Sequence, residues 1–341
     1  MTGRIPATVV TGFLGAGKTS LLRHVIAGAA GRRLALIVNE FGTAGVDGGI
    51  LQACAVPGCP ADAIVELANG CICCTVADDF LPAIETLLNR PEPPDGLLIE
   101  TSGLALPKPL IKAFAWPEVR ARLTVDGVVA LVDAAALAEG RFAGDPGGAI
   151  SHLTPMAEVF ADQVAAADLV VLNKTDLVSP QALAGIEPLV RAHMRPAARL
   201  LHATHGQLPL SVLLGLGAAA EDDLGTRPSL HELEGEGHDH DEFESFVVEL
   251  PPIDNPATLL AAAETTARAH PILRLKGFVD VPGRALRHVV QGTAARLTGY
   301  YDRPWTAGET RASRLVVIGL AGLDRARIAA GLGGTLGEAR G

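Results

Sequence analysis

The sequence predicts a doubly wound α/β fold followed by a small α+β C-terminal domain. Short, nearly solid Val/Ile/Leu runs alternate with helix-like stretches from residue 6 to about 222. That is the texture of strands buried on both faces and joined by crossover helices. A glycine-rich loop links the first run to the first helix. Beyond an acidic segment, a second and smaller set of strands and helices begins at residue 245.

Ala7–Thr11 is the first strand, a β-branched run that leads into Gly12-Phe-Leu-Gly-Ala-Gly17-Lys18-Thr19 and a helix over 18–30. The pattern G-x-x-x-x-G-K-[ST] between strand and helix lets backbone N–H groups wrap a triphosphate at a helix N-terminus. The first domain is therefore expected to be a doubly wound P-loop NTPase sheet. Gly12, Gly15, Ala16, Gly17 and Ser20 form the wrap. Lys18 reaches the β/γ oxygens as a candidate catalytic residue, and the Thr19 hydroxyl holds Mg²⁺. Leu34–Asn39 is the second strand. Asn39-Glu40-Phe41-Gly42 leaves its end as a natural first switch loop, with Glu40 facing either Mg²⁺ or a second metal. Ile64–Leu67 is the third strand, and a helix is expected over 75–90.

Gly96–Thr101 is the fourth strand and ends in Glu100-Thr101-Ser102-Gly103. Glu100, also a candidate catalytic residue, can hold Mg²⁺ or its waters, and the Gly103 N–H can feel a γ-phosphate. After a helix over 107–116 comes the strand Gly127–Asp133, whose Asp133 is open between a structural cap and a site residue. A helix over 151–167, the strand Asp168–Asn173, a helix over 180–194 and the strand Ala198–Ala203 complete the sheet. Asn173-Lys174-Thr175-Asp176 reads N-K-x-D at a strand end. Asp176 can accept from guanine N1–H and N2–H₂, donors that adenine cannot match, so GTP is expected over ATP. His205-Gly206 is a candidate for the loop that closes over the base.

Residues 223–244 are rich in Glu, Asp, Gly and His and cannot bury a core, so they read as a solvated linker between domains at 1–222 and 245–341. His231, His238 and His240 there could collect divalent cations, or simply be solvated. The second domain is expected to hold strands Ser245–Leu250, Ile272–Val281, Ala285–Gln291 and Arg314–Leu320. Helices are expected at Pro256–His270 and Leu323–Leu336.

Composition narrows the function classes. Lys and Arg number 28 against 38 Asp and Glu, a net charge of −10 with no basic cluster, which speaks against a nucleic-acid partner. No run of 18 apolar residues offers a membrane span, and the N-terminus lacks a secretory pattern, so the cytoplasm is expected. The five cysteines then read as reduced thiols. Cys71, Cys73 and Cys74 place three of them within four residues after an Asn-Gly turn and before a helix. A helix N-terminus lowers thiol pKa and favours metal-binding thiolates. Such ligands suit Zn²⁺ or tetrahedral Co²⁺ and do not separate the two. Cys54 and Cys59 are open between an accessory pair and loose loop thiols.

Gly12–Thr19, Asn39–Gly42, Gly70–Cys74, Glu100–Gly103 and Asn173–Asp176 occur in an order that resembles the CobW-type P-loop metallochaperone GTPases. These are relatives of the nickel-insertion GTPases for urease and hydrogenase. Lys276-Gly277-Phe278 and Tyr300 through Trp305 resemble that family's smaller domain. The 52–62 insertion and Ser102–Pro107 suggest the branch associated with aerobic cobalamin biosynthesis. The resemblance implies GTP hydrolysis with Mg²⁺, cargo metal held by Cys71, Cys73, Cys74 and Glu40, and cobalt supply to cobaltochelatase or another metal acceptor. GTP would raise metal affinity, and hydrolysis would release the ion. Zinc as cargo, or a metal-sensing regulatory GTPase that transfers nothing, are the alternatives, and a homodimer is left open. Some relatives carry an acid two positions before the Glu40 equivalent, where this chain has Val38, so their ligand set does not carry over whole.

Overall fold

A computed structural model describes residues 3–29, 31–39, 64–67, 80–141, 155–227, 243–293, 295–305 and 310–337. The chain divides into two compact units, with residues 3–227 of the description in the first and 243–337 in the second.

The first unit is built on strands β1 (Ile5–Thr11), β2 (Leu34–Asn39), β3 (Ile64–Leu67), β4 (Gly96–Glu100), β5 (Leu123–Asp133), β6 (Leu169–Asn173) and β7 (Arg199–His202). They pair in the order β3-β2-β4-β1-β5-β6-β7, and every pair is parallel. All six residues of β2, all five of β4 and all five of β6 are buried. Burial on both faces is why these strands read as unbroken apolar runs rather than alternating ones. The helices are α1 (Lys18–Ala27), α2 (Leu81–Leu88), α3 (Pro107–Ala113), α4 (Pro117–Arg120), α5 (Ala134–Ala138), α6 (Pro155–Ala165), α7 (Pro180–His193) and α8 (Leu210–Leu213). Their starts carry local signals. Ser179 caps α7 by accepting from Ala182 N at 3.2 Å, and prolines open α3, α4 and α7 where a missing N–H costs nothing. Phe160, Val164, Val170, Leu172, Ile186 and Val190 share the core that seats α6 and α7 on the sheet.

The chain leaves β1 toward one side of the sheet, to β2, and leaves β5 toward the other, to β6. The loop after β1 therefore lies at a topological switch point, where open parallel sheets bind ligands. Opposite this end, the segment after α8 ties down the strand starts. The Asp126 carboxylate accepts from the backbone N–H of Gly215 (2.6 Å), Leu216 (3.2 Å) and Gly217 (2.9 Å). Glu221 accepts from Arg4, Thr124 and the Val125 N–H. Arg227, fully buried, pairs with Asp168 and Asp223. This strap explains why β5 begins at Leu123 rather than at the expected Gly127. Asp126 breaks the apolar run in sequence, yet its charge is satisfied by a loop some 90 residues away.

The second unit is a six-stranded antiparallel sheet. Its strands are β8 (Phe243–Leu250), β9 (Ile272–Val279), β10 (Leu286–Thr293), β11 (Arg296–Pro304), β12 (Ser313–Leu320) and β13 (Thr335–Leu336), in the order β11-β10-β9-β12-β8-β13. Helices α9 (Pro256–Ala269) and α10 (Arg325–Gly331) supply Leu259, Ala263, Ala267 and Ile328 to its core, beside Val248, Leu275, Val290 and Leu315. Two expectations are corrected here. The closing helix expected over Leu323–Leu336 is the short α10 followed by strand β13, because Gly333 turns the chain at φ 76° and ends the helix. Strand β11 was not expected at all, since Gly299 and the charged Asp302-Arg303 interrupt its apolar pattern. The fold class expected from the sequence is the one found: a doubly wound P-loop sheet followed by a small α+β unit.

Candidate functional site

The phosphate loop runs from the end of β1 into α1. Lys18 is 4% exposed, and its Nζ donates to Gly12 O at 2.7 Å and to Phe13 O at 3.4 Å. The side chain thus lies back across its own loop, between α1 and the loop's first carbonyls. Gly17 adopts φ 106°, and a Cβ there would stand 2.3 Å from Asn173 Nδ2. Only glycine fits that position. Thr19 Oγ1 and Glu100 Oε1 face each other at 3.5 Å, with Glu100 buried at the end of β4. Two hard oxygen donors at that separation, beside the loop, fit Mg²⁺.

The turn after β4 is pressed onto the phosphate loop. A Cβ on Gly103 would meet Leu14 Cδ2 at 2.5 Å and Leu14 N at 2.8 Å. Thr101 Oγ1 donates to Thr11 Oγ1 at 3.0 Å, so neighbouring strand ends are cross-linked beneath the loop. Asn39, at the end of β2, has both side-chain amide atoms buried without a hydrogen-bond partner among the described residues.

On the β6 side, Asn173 Nδ2 donates to Ala16 O, and its Oδ1 accepts from Gly206 N, both at 2.9 Å. One buried side chain therefore staples the phosphate loop to the turn after β7. Lys174 takes a left-handed conformation (φ 62°), and its Nζ pairs with Asp133 Oδ2 at 2.7 Å. Asp133 also accepts from Ala136 N at 3.0 Å. The sequence left Asp133 open between cap and site, and the side chain does both: it caps α5 and holds the lysine of the N-K-x-D turn. Thr175 Oγ1 donates to Ala203 O at 3.1 Å. This brings Asp176, exposed in the turn Thr175–Leu177, beside the turn carrying His205 (φ 55°) and Gly206 (φ 70°).

The structure thus gathers Gly12–Ser20, Glu100, Gly103, Asn173, Lys174 and Asp176 around the C-terminal ends of β1, β4 and β6. Glu40, Cys71, Cys73 and Cys74, like Cys54, Cys59 and the linker histidines, lie outside the described residues. Among the described residues no group of three His, Cys, Asp or Glu could hold a metal ion, and no helix is long and apolar enough to cross a membrane. One contributor went unnoticed in the sequence. Gln163 of α6, 1% exposed, donates to Gly103 O at 3.2 Å and Ala105 O at 3.1 Å. Its only signal was a lone amide in an otherwise apolar helix face.

Comparison with known proteins places this arrangement. A family model described as "CobW/HypB/UreG, nucleotide-binding domain" matches residues 6–201, and one described as "Cobalamin synthesis protein cobW C-terminal domain" matches residues 243–336. The chain is 50% identical over 342 residues to the protein named zinc chaperone CobW of Sinorhizobium sp, covering 97% of each. It is 49% identical over 340 residues to the zinc chaperone CobW of Pseudomonas aeruginosa, covering 96% of this chain and 90% of that one. Identity to the zinc chaperone YjiA of Escherichia coli is 34% over 328 residues, covering 93% and 94%. With matches spanning both units, the chain belongs to the CobW/HypB/UreG family.

Proposed function

We propose that the chain is a GTP-hydrolysing metallochaperone of the cytoplasm, which binds a divalent transition-metal ion in a nucleotide-dependent way and passes it to an acceptor protein. The observation that carries this reading is Asn173. Its two 2.9 Å bonds tie the N-K-x-D strand end to the phosphate loop and to the turn after β7, the juxtaposition that a guanine-nucleotide site requires. Family membership supports the metal-handling half, and the names of the relatives favour zinc as the cargo. Cobalt supplied to a cobaltochelatase is the second reading, favoured by the resemblance of 52–62 and Ser102–Pro107 to the cobalamin branch.

In this reading Lys18 Nζ exchanges the Gly12 and Phe13 carbonyls for the β/γ oxygens of GTP. Thr19 and Glu100 would hold Mg²⁺, which when bound draws charge from the phosphate oxygens. Gly103, packed against Leu14 of the phosphate loop, would offer its N–H to the γ-phosphate. Lys174, anchored by Asp133, lies along the base, whose N1–H and N2–H₂ donate to Asp176. Glu40 and the Cys71, Cys73 and Cys74 thiolates take the cargo ion, and loss of the third phosphate loosens that set.

The test is a Co²⁺ titration followed by visible absorbance, with Mg·GTP, with Mg·GDP and without nucleotide, then competition by Zn²⁺. Thiolate charge-transfer and tetrahedral d–d bands should appear at lower Co²⁺ with GTP, and Cys73→Ala with Cys74→Ala should abolish them while GTP still binds. By linkage, the metal should tighten GTP by the same factor. Metal affinity that is equal in all three nucleotide states would overturn the reading, and a site from which stoichiometric Zn²⁺ fails to displace Co²⁺ in the GTP state would favour cobalt as cargo.

A further inference from the structure

The turn between β4 and α3 has its peptide planes held from one side by a single side chain. Ala105 N donates to Ser102 O at 3.1 Å, closing a tight turn over residues 102–105. Gly103 N–H lies on the opposite edge of the peptide whose carbonyl, Ser102 O, is used in that bond, so it is turned outward. The next carbonyl, Gly103 O, and then Ala105 O both accept from Gln163 Nε2, at 3.2 and 3.1 Å. Leu104 N–H is occupied by Ser102 Oγ at 3.4 Å. The Gly103 N–H donates to no atom of the described residues. On its other side the turn meets the phosphate loop at Leu14.

Gln163 belongs to neither the phosphate loop nor the base-reading turn. It stands on α6, about 60 residues from the turn in sequence, and is 1% exposed. A buried glutamine costs free energy unless its amide is satisfied, and this one spends its N–H groups on two carbonyls of one turn. A carbonyl captured by a fixed donor cannot rotate without breaking that bond. The orientation of the Gly103–Leu104 peptide is therefore tied to the position of α6.

We propose that Gln163 is the positioning residue for triphosphate sensing: it holds the Ser102–Ala105 turn so that the Gly103 N–H is presented to the γ-phosphate, and it passes the state of that turn to α6. The proposal rests on the GTPase reading given above. GDP carries no γ-phosphate and is held by contacts that do not include this turn. Loss of Gln163 therefore separates the two nucleotides, which a general loosening of the fold does not.

The experiment measures affinity for a non-hydrolysable GTP analogue and for GDP, each with Mg²⁺, on the full chain and on Gln163→Leu and Gln163→Glu. Both variants remove the donors that hold the turn, and Gln163→Glu also sets a carboxylate against two carbonyls. The expected result is a loss of about tenfold for the analogue with GDP within about twofold of the parent, and a larger loss for Glu than for Leu. Equal loss for both nucleotides, or loss for neither, overturns the proposal. A parent chain that fails to bind GTP at all would instead sink the GTPase reading. Should either variant fail to fold, hydrogen exchange on the parent chain decides the matter. Peptides covering 100–106 and 158–165 should gain protection together when the GTP analogue replaces GDP, and protection of the first without the second refutes the link.

Discussion

In the proposed function, base choice falls to one carboxylate, that of Asp176. It stands exposed three residues past Asn173, in a turn locked to the neighbouring strand end through Thr175 and Ala203. A carboxylate there can only accept, which matches guanine N1–H and N2–H₂. Asparagine would point a donor at a donor. Asp176→Asn should lower GTP affinity by about a hundredfold or more and improve XTP, whose ring carries a carbonyl where guanine has its amine. Competition between labelled GTP and unlabelled XTP reads this directly, and an unchanged preference removes Asp176 from the base site. At this scale the sequence was legible wherever a candidate role follows from a fixed local spacing: Gly12, Lys18, Thr19, Asn173 and Asp176 could all be named from strings of a few letters. Asn173 was legible as part of a motif, but its chemistry was not. Its amide joins Ala16 to Gly206 across gaps of 157 and 33 residues, and no local pattern encodes that. Gln163 and the Asp133–Lys174 pair were hidden for the same reason.

Among the elements, the end of β4 and the turn after it are where the proposed triphosphate sensing would be built. The strand end and its turn together touch Thr11, Leu14, Thr19 and Gln163, which come from β1, the phosphate loop, α1 and α6. Gly103 is small because Leu14 fills the volume where a side chain would go: a Cβ at this position would stand only 2.5 to 2.9 Å from Leu14 atoms. Gly103→Ala must push the turn away from the phosphate loop. Overpacking of this kind costs about 1–3 kcal/mol, so the unfolding midpoint in urea should fall accordingly. On the proposed reading, in which only the triphosphate meets the turn, binding of a GTP analogue should weaken more than binding of GDP. Parent-like binding of both nucleotides would mean that the turn yields without consequence. The same scale shows where pattern reading works and where it fails. β2, β4 and β6 are buried on both faces and announce themselves as solid apolar runs. β11 is an edge strand, most of its residues half-buried, so neither alternation nor a solid run marks it. Its Gly299 is required by its neighbour on β10, since a Cβ there would meet His288 Cε1 at 2.5 Å.

Across the whole molecule, the two units answer acid differently because their buried charges differ. In the first unit, Asp223 is half of a strap with Arg227 and Arg195. Burial alone would raise its pKa, but the hydrogen bonds and charge of the two arginines outweigh burial and hold it below the usual 3.8. A carboxylate lowered in this way stabilises the fold above pH 3.8 and loses its contribution only as pH falls through its folded value. In the second unit, Glu244 behaves likewise: burial is outweighed by Arg325 and the Leu323 N–H, and its pKa lies below 4.5. The second unit also carries His288, 5% exposed, with Nδ1 buried and without a hydrogen-bond partner among the described residues, its ring edge-on to Tyr301 at 4.8 Å. Burial pushes its pKa below 6.5. The unfolded chain therefore takes up a proton near pH 6.5 while the folded unit does not, so stability is full above that pH and declines as the solution is acidified below it. The second unit should weaken first on mild acidification, in a window where Asp223 of the first is still ionised. Thermal unfolding at about pH 7.5 and about pH 5.5, compared between the parent chain and His288→Leu, isolates the effect. The parent's melting temperature should drop over this interval by more than the variant's, whose dependence loses the His288 component. A parent and variant with parallel pH dependence would show that His288 takes up its proton as readily in the folded unit as in the unfolded chain, and would remove it as a source of acid sensitivity.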